Sequence, residues 1–460
     1  MESGLEIAVC VVVLIAVACV GLFYCVHFTR TSGTFANTKT MLLANFVVVQ
    51  PISGVVHLMH LGATRGYIDL LNYPIEYAAT ATLGVVVAIV GLVLGASGGR
   101  RATPGAAVVP HFTLVDKRLT LLLIVIMGAP ALYGVLQVSE IAASMGSTRI
   151  IGLDGGTARF AFLSHWFTFI VTLGAALVLE RFNSRNSGAV FLTVAVSVVL
   201  IAGALLWSGG RSIILLMAMP LVLYALPRMK PIQIPALAFG AVAAAIYAIV
   251  VSDIRSASLT AGAGVNLGNW LDWEWGRFSI IGTSFEYVRS NGFLYGETLI
   301  AGLANVFNPL LGLIGLGGIG GNLLVSTDIP SRVLYGDFSR FYIVPGLSAE
   351  LYLNFGIPGI GVVYFLLGRA SRWIDGRIRN NPNAISVLLL SFLSALVAFR
   401  SILSDSATLL FYIFYSGTPL LVAAGLSSLL RARRGASAGQ ATASTKARPA
   451  RARMPPPIAR

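Results

Sequence analysis

Charge is what this sequence has least of: 11% of its 460 residues are Asp, Glu, Lys or Arg, against 56% that are hydrophobic. With a mean hydropathy of +0.83, the chain is incompatible with an ordinary soluble domain and reads as an all-α, polytopic membrane protein. Cysteine is nearly absent. The three present, Cys10, Cys19 and Cys25, share the first apolar run, so no loop is braced by a disulfide and no cysteine spacing suits a metal or redox site. Lysine is equally rare, at four against 28 arginines. No G-x-x-x-x-G-K-[ST] loop occurs, which removes the usual cradle for a nucleoside triphosphate.

What the chain has in quantity is long apolar runs. A span needs ~20 such residues to cross ~30 Å of hydrocarbon. Eleven runs approach that length, near 7–26, 41–61, 75–96, 119–137, 161–179, 188–208, 212–226, 234–251, 347–367, 384–399 and 407–428. Pro51 and Pro130 fall inside runs and predict kinks, which a bundle tolerates when neighbours re-satisfy the freed carbonyls. Three units result: an integral membrane domain over 1–430, a large polar interval within it at 252–345, and a tail at 431–460. The tail is rich in Ala, Ser, Pro and Arg without apolar periodicity, and is expected to be disordered.

The basic residues orient the ladder. If spans alternate, one set of loops and the tail carries 22 of the 32 Lys and Arg, including all four lysines, with only Asp116, Glu180 and Asp375 as acids. The other set carries ten arginines and fifteen acids. Short loops rich in Lys and Arg stay cytoplasmic. The N-terminus is therefore expected outside, the C-terminus inside, and 252–345 on the extracytoplasmic face of the membrane. The net charge of +14 is then mostly cytoplasmic-loop bias, and nucleic acid is not an expected partner.

That orientation restricts the chemistry. The longest cytoplasmic loop, about 97–118, is too short to fold over a nucleotide sugar. Outside the membrane an enzyme must use a donor that is already activated, and a lipid diphosphate is the natural choice. Gly315, Gly317 and Gly320 match G-x-G-x-x-G but lack a strand–turn–helix context, so they read as a membrane-skimming segment rather than a dinucleotide site.

Two stretches carry a resemblance. WSGGRS (Trp207–Ser212) falls at an outer junction of two spans, and PGLSAELYLNFGIPGIG (Pro345–Gly361) closes the large interval and enters the ninth. Together with the late outer loop, they resemble the bacterial O-antigen polymerase family, which polymerises oligosaccharide repeat units carried on polyprenyl diphosphate. The local likeness covers about 25 residues. It implies a GT-C-like membrane glycosyltransferase without nucleotide, cofactor or obligatory metal. Its partners would be a polyprenyl-diphosphate-linked oligosaccharide, the lipid bilayer and other polysaccharide-assembly proteins.

Residue chemistry supplies the expected site. A departing lipid diphosphate gathers negative charge at the outer surface, and a planar guanidinium matches it. Arg211, pinned between two spans, and Arg340 are expected to stabilise that charge. Arg332, Arg400 and Arg277 are expected to bind substrate, although an outer arginine is also an ordinary interfacial anchor. Glu350 enters the bilayer edge and is the first choice for the carboxylate that takes the acceptor's proton. Its bland reading is an ion-pair partner for an arginine, and Asp337 and Asp405 are weaker alternatives. Trp270, Trp273 and Trp275, interleaved with Asp272, Glu274 and Arg277, suit stacking on sugar faces, or an interfacial aromatic belt. No histidine lies in 252–345, which argues against the related O-antigen ligases. A transporter or flippase of a lipid-linked glycan or other charged solute is the alternative from another class. Against it, no internal repeat links the two halves.

Overall fold

The computed structural model describes residues 2–34, 36–61, 70, 74–98, 108–144, 155–182, 211–225, 268, 271–272, 276–313, 323–335 and 344–446. They form helices, as a chain in hydrocarbon must when each backbone group has to find its partner within the segment. The helices are α1 (Glu2–Ser32), α2 (Thr38–Leu58), α3 (Ile75–Ala96), α4 (Leu114–Ser144), α5 (Gly155–Phe182) and α6 (Arg211–Ala225). From the polar interval onward come α7 (Phe278–Asn291), α8 (Glu297–Leu313), α9 (Asp328–Tyr335), α10 (Leu347–Arg379), α11 (Ala384–Leu403), α12 (Ser406–Ser416) and α13 (Thr418–Lys446).

Among the described residues, seven helices are long and apolar enough to cross a membrane, or eight if the bent pair α12–α13, broken by 54°, makes one span. Of the eleven expected runs, 188–208 and 234–251 lie outside the described residues, and 212–226 is a helix of only 15 residues. Within the interval 252–345 lie α7, α8 and α9. The last helix runs on to Lys446, into the tail where no structure is expected.

Among the described residues two large apolar cores form, beside a small cluster of Tyr287, Ile329 and Leu353. One packs Leu14, Phe46, Ile89, Phe278 and Tyr364 from α1, α2, α3, α7 and α10. The other packs Phe169, Leu173, Tyr224, Phe392 and Leu420 from α5, α6, α11 and α13. Contact between α3 and α10 is a glycine seam: a Cβ on Gly91 would stand 2.6 Å from the Gly361 carbonyl, and one on Gly368 would strike the Leu92 carbonyl. Small residues let backbones approach where burying apolar surface from water no longer drives association.

Polar contacts sort the connecting segments to two ends. At one end Asp375 of α10 accepts from the backbone N–H of Thr38 at 2.7 Å and of Lys39 at 3.3 Å. Asp116 accepts from Asn383 at 2.9 Å and from Ser427, while Glu180 accepts from Phe112 N at 2.9 Å and Tyr224 at 3.0 Å. The three acids of the lysine-bearing loops thus tie helix ends together. At the other end Glu76 pairs with Arg289 at 3.7 Å, Tyr77 donates to Glu286, and α7 and α8 lie against α3, α10 and α12.

Three helices at that second end contain a widened turn: Val48–Ile52 in α2, Leu396–Arg400 in α11 and Tyr412–Ser416 in α12. In α2 the cause is legible. Pro51 has no N–H to give the Val47 carbonyl four residues back, and the turn loosens; the Ser53 N–H then turns to Gln50 and Val48, and the Val49 carbonyl accepts from the backbone N–H of Arg277 at 3.1 Å. In α11 the Ala398 and Phe399 carbonyls receive Asn45 Nδ2 at 3.1 and 3.2 Å. Pro130, also expected to kink its helix, sits inside an unbroken α4.

Candidate functional site

Glu350 occupies the first turn of α10 and has no exposed surface. Its carboxylate accepts three hydrogen bonds: Ser406 N to Oε2 at 2.6 Å, Ser406 Oγ to Oε1 at 2.7 Å and Thr298 Oγ1 to Oε1 at 3.2 Å. The donors come from α12 and α8, so three distant segments converge on one side chain. Asp405 immediately precedes Ser406 and is equally buried. It caps α12 by accepting from Thr408 N at 3.0 Å, and it accepts from Ser326 Oγ at 2.8 Å. Among the described residues neither carboxylate forms an ion pair with a cation. Arg340, the nearest arginine in sequence on the loop side of Glu350, lies outside the described residues. Hydroxyls and a helix N-terminus hold the charge.

The YLNFG segment after Glu350 makes the geometry. Asn354, fully buried, donates from Nδ2 to Thr298 Oγ1 and to the Glu350 carbonyl, both at 2.7 Å, and accepts from Gly296 N at 2.9 Å. Gly356 then breaks α10 with φ +66° and ψ −159°, a conformation open in practice to glycine alone. The break lets the Glu350 turn point toward α8 and α12 while the remainder of α10 follows α3. Gly356→Ala is expected to cost about 1–3 kcal/mol, because the side chain must adopt that backbone and a Cβ would also press on Phe293 at 3.2 Å. Thermal unfolding of the detergent-purified protein measures this. An unchanged melting temperature would mean the break is not held in solution.

Around this centre the described arginines take distinct places. Arg277 lies between α10 and α11: its stem runs 3.1 Å from where a Gly346 Cβ would be, and it donates to the Gly276 carbonyl at 2.6 Å and the Leu403 carbonyl at 3.4 Å. Arg400 stands in the widened turn of α11 with its guanidinium 4.8 Å from the Tyr412 ring centroid and 3.2 Å from the Tyr412 hydroxyl. Its Nε is buried without a hydrogen-bond partner. His165 of α5 lies beside it, bonded to Ser416 Oγ at 2.9 Å and edge-on to Phe411 at 4.9 Å. Arg332 is exposed on α9. Arg211 is the first residue of α6, whose far end carries the Tyr224 that meets Glu180. Arg340, Asp337, Trp270, Trp273, Trp275 and Glu274 lie outside the described residues, as does the glycine run at 315–320.

Asp272, expected to take a sugar hydroxyl, is engaged otherwise. Its carboxylate meets His57 Nδ1 at 2.9 Å, and His57 Nε2 accepts from Leu70 N at 3.2 Å. That fixes the proton on Nδ1 and leaves Nε2 no lone pair for a substrate, so the pair anchors the Asp272 segment to α2. No group of three His, Cys, Asp or Glu among the described residues could hold a metal ion.

Thr298 and Ser406 gave no sequence signal as ligands of Glu350. Asp405 caps α12, and that cap is what presents Ser406 to Glu350. On the neighbouring turn of α2, Gln50 donates to Ser348 at 3.2 Å, and Ser348 shares a 2.6 Å hydrogen bond with Tyr364. The arrangement as a whole is a sealed, carboxylate-centred polar layer near one end of an apolar bundle, equipped to accept a proton or hydrogen bond. Comparisons with family models, with curated proteins and with solved structures return no match.

Proposed function

We propose that this chain is a glycosyltransferase of about eleven spans that polymerises polyprenyl-diphosphate-linked oligosaccharide repeat units at the outer face of the cytoplasmic membrane. The observation that carries the reading is Glu350, a buried carboxylate with three polar donors and, among the described residues, no cation, at the end of the bundle where Arg277 and Arg400 also lie. An ion-paired glutamate would be an anchor. One held ready to accept fits general-base work on an acceptor hydroxyl.

In the proposed step, the hydroxyl oxygen of the new lipid-linked unit attacks the anomeric carbon of the growing glycan. Its proton passes to Glu350, the bond to the diphosphate breaks, and polyprenyl diphosphate departs with the electron pair. Outer arginines stabilise the departing charge, Arg211 and Arg340 foremost. Because Glu350 has no exposed surface, turnover requires α8 or α12 to part from α10 as the acceptor enters.

Purified protein incubated with a lipid-linked repeat unit tests the activity: a ladder of longer glycans is expected, whereas movement of the unit across vesicles without elongation would favour a transporter. Orientation is tested separately. In a background without native cysteines, Tyr295→Cys, 79% exposed beside α8, is expected to react with an impermeant maleimide on intact cells, and Val109→Cys, 42% exposed at the other end, is not. The reverse pattern would place the site in the cytosol and remove the case for a lipid diphosphate donor.

A further inference from the structure

The hydrogen bonds around Glu350 have a direction that distances alone do not convey. Asn354 Oδ1 accepts from the Gly296 N–H, so its Nδ2 is fixed as the donor facing Thr298 and the Glu350 carbonyl. An amide nitrogen cannot accept. The Thr298 oxygen is therefore the acceptor in that contact, and its single hydrogen is left for Glu350 Oε1. Ser406 adds a hydroxyl to the same oxygen and its backbone N–H to Oε2. An ionised carboxylate offers about four acceptor positions. Among the described residues three are taken, and the open one is on Oε2.

We infer that Asn354 and Thr298 are positioning residues, a relay that holds Glu350 in its acceptor-only form with one Oε2 lone pair left for the incoming hydroxyl. The catalytic half of this rests on the polymerase reading; the relay itself does not. Among the described residues, three other charged groups stand near this centre. Asp405 acts on it electrostatically from the start of α12. Glu297 of α8 receives Leu324 N at 3.1 Å, and Arg277 reaches backbone carbonyls beyond Gly346. Thr298 belongs to the interval 252–345 and Asn354 to α10. The relay therefore makes the state of the carboxylate depend on α8 being seated, and a displaced α8 withdraws one donor.

Dicyclohexylcarbodiimide, which forms adducts with protonated carboxyl groups in apolar surroundings, reads that state without any substrate. At fixed neutral pH, Thr298→Val is expected to give about three- to tenfold more adduct at Glu350 than wild type by peptide mass mapping, and Thr298→Ser, which keeps the hydroxyl, to give the wild-type amount. Asn354→Asp turns the Thr298 hydrogen away from Glu350 and is expected to raise labelling too, but to add nothing in the Thr298→Val background. Equal labelling in Thr298→Val and wild type, or additive increases in the double variant, would overturn the relay. In the elongation assay Thr298→Val is expected to lower kcat with KM retained, and Thr298→Ser to restore it. Labelling that follows the relay while wild-type protein elongates nothing would remove the polymerase reading and leave the relay standing.

Discussion

Glu350→Gln is expected to reach the membrane at close to wild-type abundance and to lose glycan elongation by on the order of 10²–10⁴-fold, the usual worth of a positioned general base. The surroundings explain why the substitution should fold. A glutamine carbonyl can replace Oε2 and keep the 2.6 Å bond from Ser406 N, and its NH2 can face the Ser406 and Thr298 hydroxyls, which can turn to accept. What glutamine cannot do is take a proton. Glu350→Ala is a different experiment, since it leaves buried donors unmatched at ~1–3 kcal/mol each and should deplete the protein itself. Membrane abundance and polymer length measured together separate the cases. Long polymer from Glu350→Gln cells would remove the residue from the chemistry.

Gly95→Val is expected to have the largest effect on stability. A Cβ at Gly95 would run into the Phe365 carbonyl and stand 2.9 Å from Arg369 N, both backbone atoms of α10 that cannot turn aside as a side chain could. Overpacking in yielding cores costs about 1–3 kcal/mol, and this site should reach the upper end or fail to assemble. Separating α3 from α10 also carries away the Arg372 contact to Ser97, 2.9 Å. Gly376→Val, on the same α10 but with nothing within 4 Å, is the control and should be nearly neutral. Similar unfolding midpoints for the two variants would show that the seam is not close-packed in the membrane.

Some of this protein could be read from its residues alone. Apolar runs become helices because hydrocarbon offers the backbone no other partner, so α1, α3, α4 and α10 appear close to their expected places. The alternation of loops is likewise legible. The segments that share Asp375, Asp116 and Glu180 gather at one end, as the uneven distribution of Lys and Arg anticipates. Glu350 stands out in sequence because a carboxylate at the start of an apolar run is rare and costly.

The tertiary structure decided what those residues do. Periodicity within 252–345 does not reveal that α7 and α8 lie on α3, α10 and α12, because their apolar faces take meaning only from the surface they cover. Sequence distance hides Thr298 and Ser406 from Glu350, 52 and 56 positions away along the chain. Serine and threonine are too common in loops and caps to announce a buried carboxylate. Asp272 looked like a sugar ligand beside its tryptophans and proved to be the partner of His57, 215 positions away. Composition determined that the chain is a helical ladder in a membrane, because that property sums over many residues against one solvent. Which hydroxyl points at which carboxylate depends on single contacts between distant segments, and only the folded chain brings those together.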